Sequence, residues 1–176
     1  MSMRSGFCDR GYSLVGLFHP RDPKNIGAAL RAAGCFGAGA VIVFGQNIQQ
    51  IPRTDTMKTH RHTPLIQVED FKSVNIFGCS IVGVEIVDDA VPIVEFSHPE
   101  RSLYVFGPED GNLPDFVMEQ CHQKIVIDTV GCLNLAMAVN VVLFDRNNKS
   151  AAKHMPGHRR RELSALSAST ETYKSD

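Results

Sequence analysis

The sequence has no Cys-x-x-Cys pair: its five cysteines, Cys8, Cys35, Cys79, Cys121 and Cys132, are scattered and odd in number. That pattern argues against a disulfide framework and for reduced thiols in a cytoplasmic compartment. No stretch approaches the ~20 apolar residues that a membrane span requires. Residues 1–13 hold no apolar core of signal-peptide length. An excess of charge is missing too: 18 Lys and Arg against 19 Asp and Glu give a formal net charge of −1. A chain so near neutrality has no global attraction for phosphate, so nucleic-acid affinity must come from local patches. No internal repeat is present. What remains is ordinary for a globular protein: 176 residues, 43% hydrophobic and 21% charged, most economically one domain.

Short apolar runs alternate with helix-like segments. Strands are expected at 13–18, 40–44, 79–86, 102–106 and 124–127, and residues 91–96 are ambiguous. Helices are expected at 25–36, where Asn25 can act as the cap and Gly37 and Gly39 stop it, and at 114–120 behind Pro114. A short helix is drawn at 69–74, and a polar loop at 45–63. Residues 135–144 are β-branched enough to mimic a strand but too long for one, so they read as a buried helix. Its Asn140 is expected to bond backbone nearby, since a buried amide without a partner is costly. The alternation predicts an α/β fold with a mostly parallel sheet and helices on both faces. The folded unit is drawn at 13–148, between a flexible segment 1–12 and a basic, then polar, flexible tail 149–176.

Three separated segments carry chemistry. The first is Asn25-Ile-Gly-Ala-Ala-Leu-Arg31, behind the rigid turn Pro20-Arg-Asp-Pro23. Ile26, Ala29, Leu30 and Ala33 form an apolar helix face, and Arg31 is one charge among small residues. The plain alternative is a surface arginine with a buried stem. The second is Phe106-Gly-Pro-Glu-Asp-Gly-Asn-Leu113, a strand running into a glycine turn. Open α/β sheets bind ligands at such strand ends, although an acidic solvent turn has the same look. The third is Ile125-Val-Ile-Asp-Thr-Val-Gly-Cys-Leu-Asn-Leu135, where Asn134 also fits a routine helix cap.

In this order the three segments resemble the motifs of the SpoU (TrmH-like) branch of the SPOUT RNA methyltransferases, over about residues 15–146. The resemblance implies a C-terminal trefoil knot, a homodimer with active sites at its interface, and S-adenosyl-L-methionine as cofactor. It implies methyl transfer to a ribose 2′-hydroxyl of tRNA or rRNA, with Arg31, Asn25, Glu109 and Asn134 as catalytic candidates. Cofactor contacts then fall on Phe106, Gly107, Pro108, Gly111, Ile127, Cys132, Leu133 and Asn134. A guanidinium is a poor base, with a pKa above ~12, so Arg31 is read as stabilising a developing alkoxide and orienting phosphate. The chain departs from the family at Cys132, where the pattern has Ser. A thiol is larger and a weaker donor than a hydroxyl.

There is no room for a separate RNA-binding domain, so RNA is expected to meet Arg53, Lys58 and Arg61 of the polar loop and Arg159, Arg160 and Arg161 of the tail. A solvated loop and a solvated tail are the plain alternatives. His60-Arg-His62 invites a metal, but no Cys/His pair with ligand spacing lies near it, and no metal is assigned. Two other functions stay open. One is a non-catalytic RNA-binding protein of the same fold. The other is a nucleotide-binding oxidoreductase, which the absence of a Gly-x-Gly-x-x-Gly after the first strand disfavours.

Overall fold

The computed structural model describes residues 11–45, 55, 58–73 and 78–154. Its seven strands are β1 (Tyr12–Phe18), β2 (Ala40–Phe44), β3 (Leu65–Val68), β4 (Ser80–Val84), β5 (Val91–Pro92), β6 (Arg101–Phe106) and β7 (Gln123–Val126). They form one sheet in the order β3-β2-β1-β6-β4-β7-β5, and every pairing is parallel. Parallel strands are buried on both faces and therefore read as unbroken apolar runs; all five residues of β2 are buried.

Side chains alternate between two cores, as the two-residue period of a strand requires. On one face Val15, Leu17, Val41, Val43, Tyr104 and Phe106 pack under helices α1 (Pro23–Phe36) and α3 (Leu135–His154). On the other, Ile42, Phe44, Leu103 and Val105 pack with Phe71 of a 3-10 turn and Val117 of the short helix α2 (Asp115–Met118). Helices thus cover both faces, as expected.

Helix α1 begins two residues earlier than expected, and Asn25 is not its cap. Asp22 is: its side chain accepts from the Lys24 amide at 2.8 Å, and Pro23 opens the helix, where its missing N–H costs nothing. Gly37 ends the helix at φ 72, with its amide returned to Ala33 O. Helix α3 resolves the strand-or-helix question at 135–144: it is 20 residues long and buries Leu135, Ala136, Val139, Val142 and Leu143 along one stripe. Asn140 donates to Ala136 O at 2.7 Å, the local bond expected of it.

Both boundaries of the folded unit shift. Tyr12, placed in the flexible start, opens β1. The expected tail begins inside α3, which runs on to His154. Lys149, counted as tail, pairs with Asp145 at 2.7 Å and donates to Ile93 O and Phe96 O. One turn earlier, Arg146 is 6% exposed and donates to Tyr12 O, Pro99 O, Glu100 O and the Tyr104 hydroxyl. His98 bridges the Tyr104 hydroxyl (2.6 Å) and Asp145 (2.8 Å). These groups fasten the far end of α3 to the start of β6. Elsewhere the short helix at 69–74 reduces to a 3-10 turn at Phe71–Ser73, and 91–96 to a two-residue strand and a turn.

Candidate active site

The sheet order brings the three motifs to one edge. β1 and β6 are neighbours, with Leu17 opposite Phe106, so the loops after them emerge side by side. β7 joins through β4. The chain reverses its direction of winding between β1 and β6, which is where open α/β sheets hold ligands.

A chain of hydrogen bonds ties one motif to the next. Glu109 accepts from the Arg21 amide (2.8 Å), the Asp22 amide (3.2 Å) and Asn25 Nδ2 (2.6 Å). Asn25 is 8% exposed. Its Oδ1 accepts from Asn134 Nδ2 at 2.9 Å, and Asn134 Oδ1 in turn accepts from the Ala136 amide at 2.9 Å. The orientation of the Asn25 amide follows from chemistry: an ionised carboxylate only accepts, so the nitrogen must face Glu109. Burial alone would raise the Glu109 pKa, but the Arg21 amide, the Asn25 side chain and the Asp22 amide outweigh it and hold the carboxyl below its ordinary value. Asn134 caps α3, as expected. Arg31 is exposed on α1, about 9 Å further along the axis than Asn25, at 1.5 Å per residue.

Beside this chain lies a cavity of about 190 Å³. Its walls include Phe106, Gly107, Pro108, Gly111, Ile127, Cys132 and Leu133, so seven of the eight nominated cofactor residues border one space; Glu109 shares the wall. Asn134 is not on the wall and acts behind it. Val84, Glu85, Ile86, Asn112, Thr129, Leu135 and Ala138 complete the lining and were not anticipated. The β4 end carries no glycine signature, and only its pairing with β6 places Glu85 there. Apolar side chains with strand-end backbone donors and acceptors suit an adenine ring and a thioether or sulfonium chain. Thr129 Oγ1 donates to Gly131 O at 2.7 Å and tightens the third loop.

Part of the expected polar loop is a structured unit. Asp55 is buried and accepts from the Thr59 and His60 amides (2.7 and 3.0 Å) and from His60 Nδ1 (2.6 Å). Burial opposes its charge, but these bonds win and lower its pKa to about 2. Thr59 packs on Gly34 of α1, and Lys58 (φ 54) and Arg61 are exposed on this turn. Arg53, Arg159, Arg160 and Arg161 lie outside the described residues. Among the described residues no group of three or more His, Cys, Asp or Glu is arranged to hold a metal ion, and no helix is long and apolar enough to cross a membrane.

A parallel sheet with a cavity at its carboxyl edge, walled by the loops after the neighbouring strands β6, β4 and β7, defines an open α/β protein with a candidate ligand site. More particularly, residues 13–144 match the SpoU rRNA Methylase family, and the chain belongs to that family. Membership removes the oxidoreductase alternative. The 23S rRNA (guanosine-2′-O-)-methyltransferase RlmB of Acinetobacter baylyi is 26% identical over 144 residues, covering 75% of this chain and 58% of that protein. The chain thus spans under two thirds of that relative's length. The SpoU methyltransferase AviRb from Streptomyces viridochromogenes superposes with a TM-score of 0.72 at 20% identity, over 81% of this chain and 61% of that one. The AdoMet-bound rRNA methyltransferase from Sinorhizobium meliloti superposes with a TM-score of 0.71 at 21% identity, over 84% and 58%. At such identities these structures show the fold.

Proposed function

We propose that this chain transfers the methyl group of S-adenosylmethionine to a ribose 2′-hydroxyl of tRNA or rRNA, as a cytoplasmic homodimer. The observation that carries the reading is the Glu109–Asn25–Asn134 chain, which joins three distant motifs beside one apolar cavity. A. baylyi RlmB, a relative in sequence, carries the same activity in its name.

When bound, the cofactor supplies a sulfonium-activated methyl group, so transfer is a direct displacement with no covalent enzyme intermediate. The protein's part is proximity, alignment and electrostatics. Phe106, Ile127 and Leu133 offer apolar contact, and Gly107 and Gly111 keep the second loop close to the cavity. Glu109 stays ionised and holds Asn25. Asn25 holds Asn134, and Asn134 fixes the first turn of α3 against the third loop. Arg31 presents a permanent positive charge to the acceptor phosphate and to the alkoxide that develops as the hydroxyl attacks.

A dimer completes this arrangement. Met137 and Phe144 are each 59% exposed and lie two helical turns apart on α3, beside α1. Closing that stripe against a second copy removes an apolar face from water and carries Arg31's exposed side to an interface. Family membership also leads us to propose the trefoil knot in the C-terminal part. The RNA grip falls on Arg53, Lys58, Arg61 and Arg159 to Arg161. The four described cysteines are free, in keeping with a reducing compartment. Cys132, on the cavity wall in place of a hydroxyl, favours a second reading, a non-catalytic RNA-binding protein. Incubation with radiolabelled S-adenosylmethionine and unfractionated RNA, followed by mass spectrometric mapping, separates the two. A 2′-O-methylated nucleotide supports transfer; RNA binding with no label transferred supports the second reading.

A further inference from the structure

Glu85 follows β4 directly, and its amide continues the ladder by donating to Ile125 O at 3.0 Å. One strand away Phe106 ends β6 opposite Val84. Two separate loops therefore rise from adjacent strand ends and form two walls of the cavity: Glu85 and Ile86 on one, 107–112 on the other. The Glu85 carboxylate spans them. Oε1 accepts from the Ile86 amide at 3.0 Å, and Oε2 accepts from the Leu113 amide, 28 residues away, at 2.8 Å.

Gly107 lies between the two. Its φ is not in the left-handed region, so conformational freedom does not explain the glycine. Space does: a Cβ there would sit 3.2 Å from Glu85 Oε2 and 3.2 Å from the Leu113 nitrogen. The missing side chain lets 107–113 fold back onto the carboxylate.

We infer that Glu85 is a positioning residue for the cofactor, a clip that fastens the end of β4 to the loop after β6 and so sets the width of the cavity. The inference rests on the S-adenosylmethionine reading above. A carboxylate fits the task because both of its oxygens accept. Glutamine has nearly the same shape, but at one of the two amides its NH2 would set donor against donor.

The test is calorimetry with S-adenosylhomocysteine, with thermal unfolding measured alongside. Glu85→Gln weakens binding about tenfold or more, equivalent to ~1.4 kcal/mol, and the protein still melts cooperatively, at a somewhat lower temperature because one bond is lost. A residue that merely supported the fold would lower the melt and leave the affinity of the folded protein unchanged. Affinity within about threefold of wild type overturns the clip, since that is under half of one tenfold step in free energy. If the variant does not fold, hydrogen exchange on the ligand-free wild type decides. Slow Ile86 and Leu113 amides support the clip. Fast ones that slow only with ligand overturn it, because the ligand would then be ordering the loop. Folded wild type that binds no S-adenosylhomocysteine would remove the cofactor reading itself, a different failure from an unaffected variant.

Discussion

Asn25→Ala tests whether the hydrogen-bond chain holds the site together. The substitution removes a 2.6 Å bond to the Glu109 carboxylate and a 2.9 Å bond from Asn134. A bond to a charged group contributes ~1.5–3 kcal/mol and a neutral one ~0.5–1.5 kcal/mol. Glu109 keeps the Arg21 and Asp22 amides, so the loss stays below the top of that sum, at about 3 kcal/mol. For a chain of this size 1 kcal/mol moves the melting temperature by ~2–4 °C, so a fall of roughly 6–12 °C is expected. Alanine is a good helix former, so backbone propensity does not add to the loss. Asn25→Asp should do worse, because it sets a second carboxylate against Glu109 where burial already penalises charge. Thermal unfolding by circular dichroism reads the stability, and S-adenosylhomocysteine affinity reads the site. An alanine variant that melts within about 1 °C of wild type and binds normally would refute the reasoning, because two bonds of these strengths cannot both vanish without cost.

Three further expectations concern single side chains. Arg31→Ala should slow methyl transfer by roughly 10²-fold or more, the scale for losing one preorganised donor, with cofactor affinity unchanged in calorimetry; near-normal turnover would make Arg31 a surface charge. Cys132→Ser should keep its activity in the same transfer assay, since displacement at a sulfonium needs no thiol nucleophile; a folded but inactive variant would give the sulfur a role of its own. His98 titrates below its ordinary value, chiefly through burial, with Lys149 and Arg146 adding to the effect and Asp145 opposing it. The unfolded chain therefore takes up this proton first as pH falls below about 6.5. His98's contribution to stability is complete above that pH and is lost as pH falls through the window down to its folded value. Melting curves from pH 8 to 5 on wild type and His98→Gln should differ in slope below pH 6.5 and run parallel above it; parallel curves throughout would exclude His98 as the cause.

What was legible in the sequence was what each segment declares locally. A parallel strand buried on both faces shows itself as an apolar run, which is why 40–44 was read to the residue. The edge strands β3 and β5 are short and partly exposed, so neither makes a run long enough to see. Asp22 and Asn25 are both competent caps, and only the proline between them decides for Asp22. Once the cap lies there, Asn25 sits inside the helix and its amide needs partners from elsewhere. Those partners are 84 and 109 residues away, a distance no local pattern encodes. Lys149 misled for the same reason. Beside His and Arg it reads as a solvated tail, yet its ammonium meets carbonyls 56 and 53 residues back along the chain. Glu85 carried no motif at all, and only the pairing of β4 with β6 brings its carboxylate to Leu113. In each case the residue type announced a polar group that must be satisfied, and only the sheet order named its partner. The motifs themselves mark residues whose partners lie in other motifs, and for that reason the three together resolved what one alone left open.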